Sequence, residues 1–331
     1  MLTILAAAAS ATLAGAPPMP DALAPFLNEQ GHLRPAAIEW VAGAFDDASE
    51  AERADYAAIQ SWSEECTAWA NAERKARWDA AGIEIEGSVG PAIRAECALF
   101  SDGVGRMAHR FQGKAQFLAA LSKFKPRVEG GADAMQFADM FFEPSEGDPN
   151  RRQLDYYTVA LADQYWRYRI TDWSELADGD DEASMLDGLL GIEMSRADFH
   201  TRAWLRDDLA EHGWPRKSEH GSSAALVAWL IAQHADAEPL FQLEALEMMA
   251  PLVEQGEASG SQFALLTDRT LLKTKGVQRY GSQIGCIDGT RAPFDLEQEE
   301  GLDERRASVG LQPIADYVSG MEERLGACPT G

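Results

Sequence analysis

Nine consecutive residues, Ala224 to Ala232, are all apolar: Ala, Ala, Leu, Val, Ala, Trp, Leu, Ile, Ala. At about 100° per residue such a run wraps the whole circumference of a helix, which predicts a central, largely dry helix. Polar residues next to that run must therefore be buried or must line a pocket. Three clusters are in this position: Gln233-His234-Ala235-Asp236, Thr267-Asp268-Arg269, and Gln278-Arg279-Tyr280-Gly281-Ser282-Gln283.

Helical phase places His234 between Leu230 and Val227, at the C-terminal end of the first helix. Asp236 precedes Ala237-Glu238-Pro239. Proline is tolerated only in a first helical turn, so Asp236 is expected to cap a second helix from Ala237 to about Glu254. A third helix, about Ser261 to Thr274, places Asp268 between Ala264 and Leu272, and Arg269 between Leu265 and Leu266. A buried charge needs a partner, so each either pairs with another cluster or faces a ligand. Asp288-Gly289 between two short extended runs predicts a hairpin over residues 282–294. The two glutamines, arginine and tyrosine of Gln278–Gln283 suit binding a polar molecule, and equally suit pinning a loop to the helices.

Outside this stretch the pattern is also helical, and the expected fold class is mainly α: orthogonal multi-helix bundles with one small hairpin. Helices are expected over Arg34–Phe45, Ser49–Ala81, Pro91–Phe100, Arg106–Phe124, Ala132–Phe142, Leu154–Arg169, Arg196–His212 and Ile314–Leu325. The second carries a core stripe of Ile59, Trp62, Cys66 and Trp69. Asp163 and Arg167 share a face of the Leu154 helix at i and i+4, with Gln164 beside them. Asp178-Gly179-Asp180-Asp181-Glu182 reads as a solvated loop. The loop around Pro144-Asn150 suggests a boundary between domains over 21–150 and 151–331.

The 331 residues include 54 acidic and 29 basic ones, for a formal charge of −25. Such a chain repels phosphate backbones, so a nucleic-acid partner is not expected. Residues 1–20 read as a secretory signal and linker, placing the protein in the periplasm or outside the cell. No later run is long enough to span a membrane. Cys66, Cys97, Cys286 and Cys328 allow three pairings, of which Cys66–Cys97 with Cys286–Cys328 is the most economical. No spacing suggests zinc and no cofactor is expected; a divalent-metal enzyme using His234 with Asp163 and Asp268 is a third reading, chemically adequate but without a metal signature in the spacing.

Residues 154–317 resemble a bacterial family known as domain of unknown function 6624. The resemblance rests on an ordered set: Asp163-Gln164 with Arg167; Gly213-Trp214-Pro215; Gln233 to Asp236 with Phe241-Gln242; Ala264 to Arg269; Gln278 to Gln283; and Asp303 to Arg306 with Val309-Gly310-Leu311. The family pattern has an Asn three residues after an Asp, whereas here Asp198 is followed by Thr201. The resemblance implies a domain but no activity.

The residues themselves support an exported acid/base enzyme, hydrolase-like, acting on a small polar or peptide-like substrate. His234 would transfer the proton, with Asp268 or Asp163 orienting it. Arg269 or Arg279 would bind an anionic group, and Arg167, Gln164, Gln233, Gln242, Gln278, Tyr280 and Gln283 would supply further contacts. The alternative is a non-catalytic ligand- or protein-binding module, in which the same polar residues lock the helices together.

Overall fold

The computed structural model describes residues 15–28, 33–34, 36–87, 89, 107–141, 148 and 150–328. The fold is mainly α-helical with one two-stranded antiparallel hairpin among the described residues. Two compact units share the chain: 78–87 with 204–328, and 15–77 with 107–203. The division falls inside the helix Asp180–His212, and most of the Pro144–Asn150 stretch, where the sequence suggests a boundary, lies outside the described residues. The expected helix over Pro91–Phe100 lies outside the described residues.

In the unit built from 15–77 and 107–203, helix α1 (Glu50–Ala80) buries Ile59, Trp62 and Cys66 on the expected stripe, with Trp69 partly buried beside it. Helix α2 (Lys114–Phe141) adds Phe117, Leu121, Phe124 and Val128, spaced four, three and four apart. This one helix replaces the separate helices expected over Arg106–Phe124 and Ala132–Phe142. Pro126 and Gly130-Gly131 suggest a break, but a buried apolar face that continues past Pro126 outweighs one lost backbone hydrogen bond. Gly131 has a packing reason: a Cβ there would stand 2.9 Å from the Trp166 ring. Trp166 lies on helix α3 (Arg151–Asp172).

Two further expectations are corrected in this unit. Arg34–Phe45 is not an α-helix but carries a 3-10 helix over Glu39–Ala44, in which Trp40, Val41, Ala42 and Gly43 are all buried. Ala36 at φ 55° and Ile38 at φ −119° lie outside the α region, so the apolar residues are buried by a short, tight turn instead. The acidic run is not a loop throughout, because Asp180, Asp181 and Glu182 form the first turn of helix α4 (Asp180–His212). Negative charge is favourable there against the helix dipole. The Asp178 N–H also donates to the Glu182 carboxylate at 2.7 Å, and Lys123 pairs with both Asp178 and Glu182.

The other unit contains the nine-residue apolar run. It lies on helix α5 (Lys217–His234), whose path bends at Gly221, where φ is 78° and ψ 162°. Ala224, Ala225, Val227, Ala228, Ile231 and Ala232 are buried, but Leu226 is 44% exposed, so this helix is not dry all round. Helix α6 (Pro239–Glu254) begins with its proline in the first turn and buries Phe241, Ala245, Leu246 and Met249. Helix α7 (Gly260–Lys275) packs on α6, capped by the Ser259 hydroxyl at one end and by Gly276 at φ 67° at the other. The hairpin follows, with β1 (Ile284–Ile287) paired to β2 (Thr290–Pro293). Asp288 and Gly289 both have positive φ, as the two-residue turn requires. Two short helices complete the chain, α8 (Leu302–Ser308) and α9 (Ile314–Leu325). The Cys286–Cys328 disulfide is present, whereas the other expected pair involves Cys97, outside the described residues. No described helix is long and apolar enough to cross a membrane.

Candidate functional site

In the unit built from 78–87 and 204–328, the three polar clusters form two distinct constructions. The first is a closed network around Asp268. This residue is fully buried on α7. Its Oδ1 accepts the backbone N–H groups of Arg279 and Tyr280, each at 2.8 Å, and its Oδ2 accepts that of Ser282 at 2.7 Å. One carboxylate thus satisfies three backbone amides between Arg279 and Ser282, in a loop whose backbone pairs with the segment 294–297 only at its two ends among the described residues. Gln278, also fully buried, closes the same loop. Its Nε2 donates to the carbonyls of Gln283 at 3.0 Å and Phe294 at 2.8 Å, and its Oε1 accepts the Gln283 N–H at 2.9 Å. Arg306 of α8 is buried behind the loop, donating to the Tyr280 carbonyl and, at 2.7 Å, to that of Gln312. Burial pushes the Tyr280 phenol above its ordinary range. The Gln283 side chain donates to the Ser282 hydroxyl at 3.2 Å.

Arg279 points outward from this loop. Its guanidinium donates to both carboxylate oxygens of Glu297, at 2.9 and 3.5 Å. Each charge stabilises the other, so Arg279 is pushed up and Glu297 down from their ordinary values. With Gln298 and Arg305 the pair lines a polar cleft of about 400 Å³. Arg305 is itself committed to the carbonyls of Arg279, Gln298 and Glu300.

The second construction is the α5–α6 corner. Asp236 does not cap α6: Glu238 holds the N-cap position, without a side-chain cap bond. The Asp236 carboxylate faces α7 instead. It takes Arg269 Nε at 2.6 Å and Arg269 Nη2 through its other oxygen, and Lys273 Nζ joins the first. Burial disfavours the charged carboxylate, but the two cations outweigh it and hold Asp236 below the usual carboxylate range. Burial also pushes Lys273 below the ordinary lysine range, with Asp236 pulling the other way and Arg269 adding to the fall. Among the described residues, Asp236 is the carboxylate that pairs with both cations. All three side chains remain part-exposed, so this corner meets solvent.

His234 is half-buried at the last position of α5, and its carbonyl accepts the Asp236 N–H at 2.8 Å. Gln233 is half-buried beside it. Gln242 is fully buried and ties three helices together: its Nε2 donates to the Ala232 carbonyl at 3.1 Å, and its Oε1 accepts the Thr270 hydroxyl at 3.4 Å. It offers a ligand nothing.

Asp163, Gln164 and Arg167 belong to the other unit, where they meet on α3. Asp163 is buried, and its Oδ2 accepts Gln164 Nε2 at 2.6 Å. The expected i, i+4 pair with Arg167 is present at 3.7 Å, but Arg167 pairs more closely with Asp198 of α4. The spacing within α3 gave no sign of that partner.

Sequence reasoning therefore named Asp236 and Arg269 of the charged group at the corner but missed Lys273. The available signal was its i+4 spacing from Arg269, which puts two cations on one face of α7.

Over residues 150–328, more than half its length, the chain matches the family described as "Family of unknown function (DUF6624)", and it belongs to that family. No curated protein and no solved structure matches it.

Proposed function

We propose that this member of a family without an assigned activity is an acid/base enzyme, hydrolase-like, acting on a small polar substrate with one anionic group. The substrate's anion would sit at the α5–α6 corner. The observation that supports the reading is the charge balance there: among the described residues, Arg269 and Lys273 share the carboxylate of Asp236, two positive charges against one negative at a part-exposed site. A ligand carboxylate or phosphate would answer it, with Arg269 supplying directed donors and Lys273 a point charge. His234, two residues from Asp236 in sequence, would be the proton-transfer group, since imidazole is the side chain most often used as a general acid or base. The Cys286–Cys328 disulfide supports an oxidising compartment, consistent with export.

A second reading, binding without catalysis, is favoured by the network around Asp268. Asp268, Gln278 and Gln242 are all committed to internal hydrogen bonds. A panel of small carboxylates and phosphates separates the readings. The expected result is that a ligand raises the melting temperature of the wild type and binds Arg269→Met about 10- to 100-fold more weakly, the loss of a charged hydrogen bond. His234→Gln should keep the binding and lose turnover. Equal binding by Arg269→Met would remove the corner as the site, and binding without any turnover in the wild type would leave the module reading.

A further inference from the structure

Helix α9 is weakly docked. None of its residues is buried, and an isolated helix of 12 residues is marginal in water. Its apolar side forms part of an open cleft of about 450 Å³, where Ile314 and Val318 face Pro293, Leu296 and Leu302. A few attachments hold it. The Ile314 N–H donates to the Asp303 carboxylate at 2.8 Å. Arg291 of β2 donates to the last carbonyls, Gly326 at 2.8 Å and Leu325 at 3.1 Å. The Tyr317 hydroxyl donates to the Ser282 carbonyl at 2.9 Å, and its ring lies 5.0 Å from the Arg306 guanidinium. The covalent attachment is Cys286–Cys328, which joins β1 to the chain just past α9 and spans 42 residues of sequence.

These contacts lead inward. Tyr317 touches the carbonyl of Ser282, whose N–H is held by Asp268, and it stacks on Arg306, which holds the carbonyl of Tyr280. The fit of α9 is therefore coupled to the loop Gln278–Gln283. Cys286 is exposed on the hairpin, within reach of an incoming thiolate.

We propose that Cys286–Cys328 is a thiol-exchange switch: oxidised, it docks α9 and orders the loop Gln278–Gln283; reduced, it releases both. The reductant is a dithiol. One of its thiolates attacks Cys286 Sγ, the Cys286–Cys328 bond breaks, and Cys328 leaves as a thiolate that takes up a proton. The second thiol of the reductant then displaces Cys286 from the mixed disulfide. Two electrons and two protons pass to the protein, and the reductant becomes a disulfide. Reduction restores the closure entropy of a long loop, which an exposed helix with few contacts cannot offset.

The test is hydrogen exchange by mass spectrometry on the full-length protein, wild type against Cys286→Ser/Cys328→Ser, with the other two cysteines untouched. The amides of residues 314–325 should exchange on the order of 100-fold faster in the variant, the range of a lost long-loop disulfide. Those of 279–283 should also exchange faster, while those of α6 are unchanged. Tyr317→Phe, which keeps the ring and removes the hydroxyl, should raise exchange at 279–283 with the disulfide intact. A second measurement covers a variant that does not fold: native wild type is treated with dithiothreitol and its thiols are mapped by alkylation. Faster exchange confined to residues after 325 would reduce the disulfide to a tail staple and overturn the proposal. So would a Cys286–Cys328 bond that stays oxidised in dithiothreitol while the protein remains folded.

Discussion

The buried carboxylate of Asp268 is the point at which holding and catalysis give opposite expectations. Replacing it with asparagine keeps its shape and leaves one oxygen. If that oxygen faces Arg279 and Tyr280, two hydrogen bonds survive as neutral ones, while the new NH2 group confronts the Ser282 N–H that Oδ2 accepted at 2.7 Å. The lost bond to a charged acceptor is worth roughly 1.5–3 kcal/mol, and each survivor weakens by about 1 kcal/mol. The expected loss is therefore about 4 kcal/mol, a large share of the ~5–15 kcal/mol that stabilises a typical domain. In urea unfolding this moves the midpoint down by about 2 M at a slope of about 2 kcal/mol/M. Hydrogen exchange at Arg279, Tyr280 and Ser282 should rise with it. A loss below about 1 kcal/mol would refute the reasoning, since the loop would then hold itself without the carboxylate. A purely catalytic Asp268 predicts the opposite pattern, with stability nearly unchanged and turnover gone.

Other perturbations test neighbouring parts. Arg306→Lys removes the geometry that reaches the Tyr280 and Gln312 carbonyls together and should cost about 2–3 kcal/mol, read by thermal unfolding. Gly276→Ala forces a side chain onto a residue at φ 67° and should cost about 1 kcal/mol by the same assay. For Asp236 the folded-state value lies below the unfolded one, because Arg269 and Lys273 outweigh the burial that opposes them. Its contribution is therefore present above the ordinary carboxylate value of about 3.9 and is lost as pH falls through the folded value. The effect is modest at a part-exposed side chain. Urea midpoints between pH 6 and pH 3 should fall less steeply in Asp236→Asn than in the wild type, and parallel curves would exclude the linkage.

What the sequence made legible was local chemistry. Pro239 fixed the start of α6 to within two residues, because a proline costs a helix nothing in its first turn, where no backbone N–H is needed. Asp288-Gly289 located the hairpin turn, because both positions need positive φ. What it hid was decided by burial against distant residues. Pro126 and Gly130-Gly131 look like breakers, yet α2 runs through them because its apolar face is buried beyond Pro126 and Gly131 gives Trp166 room. The run Asp178–Glu182 looks like a loop throughout, but Asp180, Asp181 and Glu182 form the first turn of α4, where the helix N-terminus favours their charge, and Lys123 pairs with Asp178 and Glu182.

The same limit governs the site. Helical phase showed that Asp268 and Arg269 both needed partners, but the partners differ in kind. Asp268 is answered by backbone amides, which leave no trace in a pattern of side chains, and Arg269 by Asp236, which local rules had assigned to a helix cap. Consecutive residues about 100° apart on one helix thus fall to a closed scaffold and to an open corner. The distinction between them is one of matching. Every oxygen of Asp268 and both ends of the Gln278 amide are filled from within the fold, so a ligand would have to displace the loop to reach them. Among the described residues, Asp236 instead faces two cations with one negative charge at a part-exposed place, and that imbalance is what the proposed anion site rests on.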